Sequence, residues 1–404
     1  MSRADASTVP RRFDPFAESL VAAPWDAYRR LREEEPIHWS PELRAWVLTR
    51  MTDIQEVLAD DRFDAVRTAE ILAEVGRRAG RDYRPLIRFL DAALFFKVGA
   101  DHGRDRRTLA TVMNQIRLSA LERTAAEIAR DLAAPIGDGG IVDAVALFAD
   151  PFPQRMMASI LGIPASDVPR LGALLGELTL VFDPAALATY DRVNRQTIEA
   201  LALLERRIVE SPAGSGLRLI HDGAAGSGQE KREQAAATAL FAYRVGAETT
   251  IGLIGALVHQ LAAQAGLRER LLEDPQRIDR LVAEMLRLES NVQRVGRIAT
   301  APATIGGVAI GRGDRLLLLL GAANRDPAHF PGPDAIDLDL HRAADLAFGQ
   351  GKHFCLGASL ARMEGRVAVE AMLALPPIAL AGAPQWFRGR TIRRLTALPI
   401  RTAR

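Results

Sequence analysis

The chain has one cysteine, Cys355, in 404 residues. That excludes an intramolecular disulfide and suits a reducing compartment such as the cytoplasm. An excess of charge of either sign is also lacking. The 52 basic residues stand against 50 acidic ones, which leaves no bulk electrostatic argument for a nucleic-acid partner. Long apolar runs are missing too. Residues 316–320 are far too few to span a bilayer, and no uncharged stretch of spanning length occurs elsewhere, so no membrane partner is expected. The N-terminus, Met-Ser-Arg-Ala-Asp-Ala, carries charge where a signal peptide needs an apolar core. Aromatic residues make up 5% of the chain, which speaks against an aromatic cage around a ligand. What remains is globular material, 48% hydrophobic and 25% charged, enough to bury a large core. The length admits two or three domains, yet no strong linker divides it, and a single large domain over 1–404 is the expectation, with 1–12 a loose tail.

Periodicity predicts a mainly helical chain with small β-sheets. Residues 24–35 read as an amphipathic helix, 37–40 and 45–49 as a hairpin, and 52–59 as helix again. Residues 60–97 mix helix and loop and end in an apolar run suited to cover a pocket. The stretch 212–228, rich in Gly and Ser, reads as a mobile loop. The long helix 234–264 is apolar nearly all round and therefore buried. Residues 304–310 and 315–320, joined by Gly-Arg-Gly-Asp, read as a hairpin.

Chemistry concentrates around the cysteine. Phe348-Gly-Gln-Gly-Lys-His-Phe-Cys355-Leu-Gly357 leads into Ala-Ser-Leu-Ala-Arg-Met-Glu, a run of helix formers. Glycines let the backbone turn and let a large group come close. A helix start favours a thiolate through its free N–H groups and dipole. Taken alone, a single cysteine is more often a small buried hydrophobe. The pattern Phe-Gly-x-Gly-x-His-x-Cys-x-Gly, however, resembles the haem-binding signature of the cytochrome P450 family at every signature position. The resemblance implies the P450 fold, haem b (iron protoporphyrin IX) as cofactor, Cys355 as the axial iron ligand, and Phe348 and His353 beside the cofactor.

Other stretches carry the resemblance over nearly the whole chain, from about residue 15 to 400. His102 and Arg106, four apart on one helix face, match the family's propionate-binding pair, and Arg297 matches a third propionate ligand. Val245-Gly-Ala-Glu-Thr-Thr250 lies within the long buried helix, where a charge and two threonines run against burial and propensity. It is similar to the family's oxygen-activation motif. That implies an acid–alcohol pair, Glu248 relaying protons from solvent and Thr249 bonding a water or dioxygen. Gly246 and a local break in the helical hydrogen bonds would open the groove they occupy. Glu284-Met-Leu-Arg287 would be an exposed pair by spacing alone, whereas the family places it, buried, behind the haem.

Two departures stand out. Val245 replaces the usual Ala or Gly, and Arg244 precedes it. By register, Phe241, Arg244, Val245 and Gln293 are assigned to the substrate pocket. Arg244 either reaches a polar group on the substrate or turns away to pair with an acid. Before the cysteine loop, Leu340 and Asp345 replace an arginine and a histidine that are usual in the family, and His341 or Arg342 stands in as partner of Glu284 and Arg287. An ionised Asp345 cannot donate to a propionate.

The resemblance implies a haem-thiolate monooxygenase that inserts one atom of O2 into a small organic substrate. Electrons come from an external ferredoxin-type donor, for which Arg104, Arg107, Lys352 and Arg362 could form a basic docking patch. A peroxide-driven P450, a non-catalytic haem-thiolate binding protein and a haem-free helical interaction protein are the alternatives.

Overall fold

In the computed structural model, which describes residues 13–339 and 345–402, the helix Gly228–Ala263 sets the plan. Its 36 residues run about 54 Å at the α-helical rise. Ala235, Leu240, Tyr243, Ile251 and Leu257 are buried on different sides of it, so neighbours must cover every face. Those neighbours are the helices Arg84–Ala92, Pro151–Leu161, Leu187–Glu210, Arg277–Glu289 and Ala358–Leu373. Small residues allow the close approach. A Cβ on Gly246 would lie 2.9 Å from Met157 Sδ, and one on Gly365 3.1 Å from Val282.

The expected break at Gly246 is absent. The helix runs through it without interruption, and Thr250 Oγ1 donates back to the Gly246 carbonyl at 3.4 Å without opening the ladder. What Gly246 provides is room for Met157. A π-helical turn lies instead at Val145–Ala149.

The strands are short. The largest sheet has the spatial order Ile37–Ser40, Ala45–Leu48, Arg315–Leu318, Val295–Ala299, Phe63–Ala65. Its first pair is the expected hairpin, with Ile37 opposite Leu48. Ala45–Leu48 and Arg315–Leu318 are parallel; the remaining pairs are antiparallel. The second expected hairpin is wrong. Ala303–Ile305 pairs with Val308–Ile310 across Gly306 and Gly307, both at positive φ, as a two-residue turn demands. Arg315–Leu318 goes to the large sheet. The expected loop at 212–228 also contains a helix, Gly216–Gly223, capped by Ser215 Oγ accepting from Arg218 N–H and anchored by buried Leu217 and Ile220.

One apolar core fills the helical part and a second lies under the large sheet. Leu253 and Leu360 of the first and Leu58 and Leu316 of the second line one common cavity of about 750 Å³. No single helix among the described residues is long and apolar enough to cross a membrane.

Candidate active site

The cysteine loop is built by two glycines at positive φ, Gly349 (+68°) and Gly351 (+72°). A Cβ on Gly351 would stand 2.9 Å from the Leu58 carbonyl, so the loop rests on the Met51–Ala59 helix. Cys355 N–H donates to the Phe348 carbonyl at 3.0 Å, which closes the turn. Gly357 then caps the helix Ala358–Leu373, and its N–H reaches back to the Cys355 sulfur. The side chain is set deep in protein yet open to the cavity. Burial pushes the thiol up, while the Gly357 N–H and the charges of Arg106 and Arg362 oppose that. The helix start expected to favour the thiolate is present, but burial outweighs it until a cation arrives.

Around the cavity are polar groups without partners. The rings of His102 and His353 meet edge to face at 4.6 Å, and His102 Nε2 and both His353 nitrogens lack a hydrogen bond among the described residues. Burial lowers both imidazoles below their ordinary value, His353 to about 3 with help from the Arg297 charge. Arg106 lines the same space. Arg297 is buried on the strand Val295–Ala299, pushed down to about 10 by that burial, and donates only to the Gly296 carbonyl, at 2.8 Å. Neither arginine has an ion-pair partner among the described residues. Two unpaired guanidinium groups and two neutral imidazoles beside one sulfur fit a flat metal complex that carries carboxylates.

Across the cavity, the central helix presents Val245, Gly246, Glu248 and Thr249. The Thr249 hydroxyl has no hydrogen-bond partner among the described residues. Glu248 is buried and held three ways. Arg394 Nε donates to it at 2.7 Å, Thr179 Oγ1 at 3.0 Å, and Arg244, one turn back on the helix, forms an ion pair with it. Both arginines also donate to the Gly176 carbonyl, Arg394 at 3.0 Å and Arg244 at 3.3 Å. Burial lowers Arg244 to about 9 and Arg394 to about 10.

The pocket assignments divide. Phe241 and Val245 line the cavity. Arg244 does not: it is 1% exposed and turned to Glu248. Gln293 does not either; its Nε2 donates to the carbonyls of Glu289 (2.7 Å) and Ser290 (2.8 Å). The scarcity of aromatics misled as well. Phe95, Phe96, Phe182 and Phe241 all line the cavity, with Phe95 at 4.6, 5.5 and 5.6 Å from the other three rings in that order. Arg394, Asp183 and Arg294 are functional neighbours that local pattern did not disclose.

Behind the site, Arg287 and Glu284 are buried and bidentate, both bonds 2.9 Å. The stand-ins proposed at His341 and Arg342, and the Leu340 position, lie outside the described residues. Asp345 accepts the Ala347 N–H at 2.7 Å and is pushed up by burial. The expected basic patch is half neutralised: Arg104 pairs with Asp101 and Asp105 and Lys352 with Asp61 and Asp64, while Arg362 keeps its charge stacked on Phe348 at 4.5 Å.

Comparison with known proteins matches this geometry to a class of haem-thiolate enzymes. The family model "Cytochrome P450" matches residues 266–375. The chain is 31% identical over 379 residues to vitamin D(3) 25-hydroxylase of Pseudonocardia autotrophica, covering 93% of this chain and 92% of that protein. It is 31% identical to mycinamicin IV hydroxylase/epoxidase of Micromonospora griseorubida, covering 98% and 99%. The crystal structure of CalO2 superposes with a TM-score of 0.87 at 27% identity, covering 97% and 98%. The chain belongs to the cytochrome P450 family. It is a haem b-binding monooxygenase that acts on small organic molecules with O2 and electrons from a ferredoxin-type donor.

Proposed function

We propose that the 404 residues work as one haem domain, with Cys355 as the iron ligand and Arg106, Arg297, His102 and His353 around the propionates. Phe348, stacked under Arg362, backs the cysteine loop. The observation that carries this is the convergence of unpaired cations and ring nitrogens on the one cavity that Cys355 enters. When bound there, haem supplies the activation of dioxygen and the insertion of one oxygen atom into the substrate.

The protein's own part is to hold and move protons and to place the substrate. Thr249, with its hydroxyl free toward the cavity, holds a water or the oxidant by hydrogen bond. Glu248 passes a proton to that point by exchanging one guanidinium for a water; Arg244 and Arg394 keep it charged and fixed between transfers. The phenylalanines around Phe95 and the Val245 side chain make the remaining wall apolar and exclude water. This wall suits a bulky, mostly apolar substrate, as the names of relatives suggest: vitamin D(3) 25-hydroxylase, 6-deoxyerythronolide B hydroxylase and mycinamicin IV hydroxylase/epoxidase. The single cysteine supports a cytoplasmic location.

A reduced carbon monoxide difference spectrum tests the ligand. The parent should give the Soret band of a thiolate-bound haem. Cys355→Ala should lose it; a band unchanged in that variant rejects the assignment. With electrons supplied, Thr249→Ala should consume reductant while forming less product, by about 100-fold, the low end of the scale for a lost proton-handling group.

A further inference from the structure

We propose that Arg294 is a specificity-determining residue that donates a hydrogen bond to a neutral carbonyl oxygen, that of a ketone, ester or lactone, on the substrate. The proposal rests on the cavity being the substrate chamber of the haem enzyme.

Arg294 stands just before the strand Val295–Ala299, is buried, and lines the cavity. Its guanidinium is clamped from one side. Nη2 donates to Asp183 Oδ1 at 2.7 Å, and Nε makes a long bond to Thr391 Oγ1 at 3.4 Å. Asp183 is itself saturated. Thr391 Oγ1 donates to its Oδ1 at 2.7 Å, and the N–H groups of Arg390 and Thr391 donate to Oδ2 at 2.7 and 3.2 Å. Burial alone would push Asp183 up, but the Arg294 charge and these donors hold it below the ordinary carboxylate range. Asp183 therefore stays charged and keeps the guanidinium in one orientation. Nη1 is left with no acceptor among the described residues. The residue stands in the wall of a cavity lined mostly by apolar side chains, which offer this donor no protein acceptor. A ligand oxygen supplies the missing partner.

The charge balance selects the kind of oxygen. Asp183 cancels the charge of Arg294 at contact distance. An incoming carboxylate would surrender its hydration and meet that aspartate behind the arginine. A neutral carbonyl surrenders less and still gains a charge-assisted bond. Arg106 and Arg297, which have no ion-pair partner among the described residues, are built for anions; Arg294, paired with Asp183, is not.

The test uses the holoenzyme and the optical spin-state shift of its haem on ligand binding. The probes are cyclopentadecanone, cyclopentadecane and cyclopentadecanecarboxylate. In the parent the ketone should bind about tenfold or more tighter than the hydrocarbon, the scale of a hydrogen bond to a charged donor, and tighter than the carboxylate. Arg294→Lys, whose compact ammonium lacks the planar fork that bonds Asp183 on one nitrogen and presents another to the cavity, should erase the ketone's advantage and leave the hydrocarbon's affinity within about twofold, since apolar contacts are untouched. Asp183→Asn uncovers the guanidinium charge and should swing preference toward the carboxylate, which loss of a purely structural pair would not do. The proposal is overturned if the parent ignores the ketone, if it prefers the carboxylate, or if the ketone's advantage survives Arg294→Lys. A parent without the thiolate-haem Soret band, seen before any ligand is added, overturns the haem reading and this proposal together. A normal band without ketone preference overturns the anchor alone.

Discussion

Arg287 uses every donor its guanidinium has. Nε and Nη2 hold Glu284, while Nη1 and Nη2 also reach the carbonyls of Asn324 (3.0 Å), Pro333 (2.7 Å) and Ala335 (3.1 Å). The side chain is 1% exposed and lies over the Phe330 ring. It thereby ties one helix to the segment that leads into the cysteine loop. Arg287→Ala would take the guanidinium away from the buried Glu284 carboxylate and release three backbone carbonyls, and should cost about 3–5 kcal/mol, read as a lower urea midpoint together with poor haem retention. Glu364 is the opposite case. It is buried on the Ala358–Leu373 helix, Oε2 has no partner among the described residues, and burial raises it well above its ordinary value. A raised folded-state value means the contribution to stability is complete below the unfolded value near 4.5 and is lost as pH climbs toward the folded one. Glu364→Gln removes that slope. From about pH 5 to about pH 8 the variant should gain stability relative to the parent in denaturant titrations. A gap that stays flat or narrows with pH would mean the carboxyl is not buried as a neutral acid.

At the scale of elements, two glycines three residues apart on the central helix should behave oppositely. A Cβ on Gly252 would press on Asn291 and come within 2.8 Å of the Arg393 carbonyl, whereas one on Gly255 finds Leu395 at an ordinary 3.8 Å. Gly252→Ala should therefore cost about 1–3 kcal/mol through overpacking. Gly255→Ala should be neutral or gain up to about 1 kcal/mol from helix propensity. Thermal melts of the two holoproteins decide it, and equal effects would mean the Gly252 contact yields easily. This helix also shows what the sequence made legible. Its burial followed from an apolar surface on all sides, whereas His102, Arg106 and Cys355 stood out only through the family resemblance, since spacing alone left the pair a solvated face and the cysteine a small buried hydrophobe. The Arg244–Glu248 pair is the second alternative read for Arg244, which turns away to pair with an acid; the four-residue spacing that joined His102 to Arg106 names Glu248 as that acid. Arg394, Thr179 and Asp183 were not legible. They reach Glu248 or Arg294 from remote turns, where no periodicity fixes a side chain's direction. The phenylalanine cluster was hidden because composition counts aromatics without saying that four converge on one cavity.

At the scale of the molecule, the cavity separates the helical core from the sheet core, and the two share its walls. Close-packed proteins rarely keep about 750 Å³ open between two cores. This space is also bordered by the like charges of Arg106 and Arg297. With haem held as proposed, both costs would be offset: the space would be filled, and the propionates would neutralise Arg106 and Arg297. Removal should therefore act locally. Hydrogen exchange of apoprotein against holoprotein should quicken most in the Gly99–Asn114 helix, in residues 345–357 and around Arg297, all of which line the cavity. The hairpin pair Ile37–Ser40 and Ala45–Leu48, fixed by its own register and by Leu319 N–H donating to the Leu48 carbonyl, should change little. Excess haem at about a thousandfold its dissociation constant should restore about 4 kcal/mol, with a melting temperature that rises with haem concentration. If protection fell evenly across the chain, the two cores would be one cooperative unit held together by the cofactor. If it did not fall at all, the cavity would be rigid before haem enters, and the charges of Arg106 and Arg297 would have to be balanced by solvent alone.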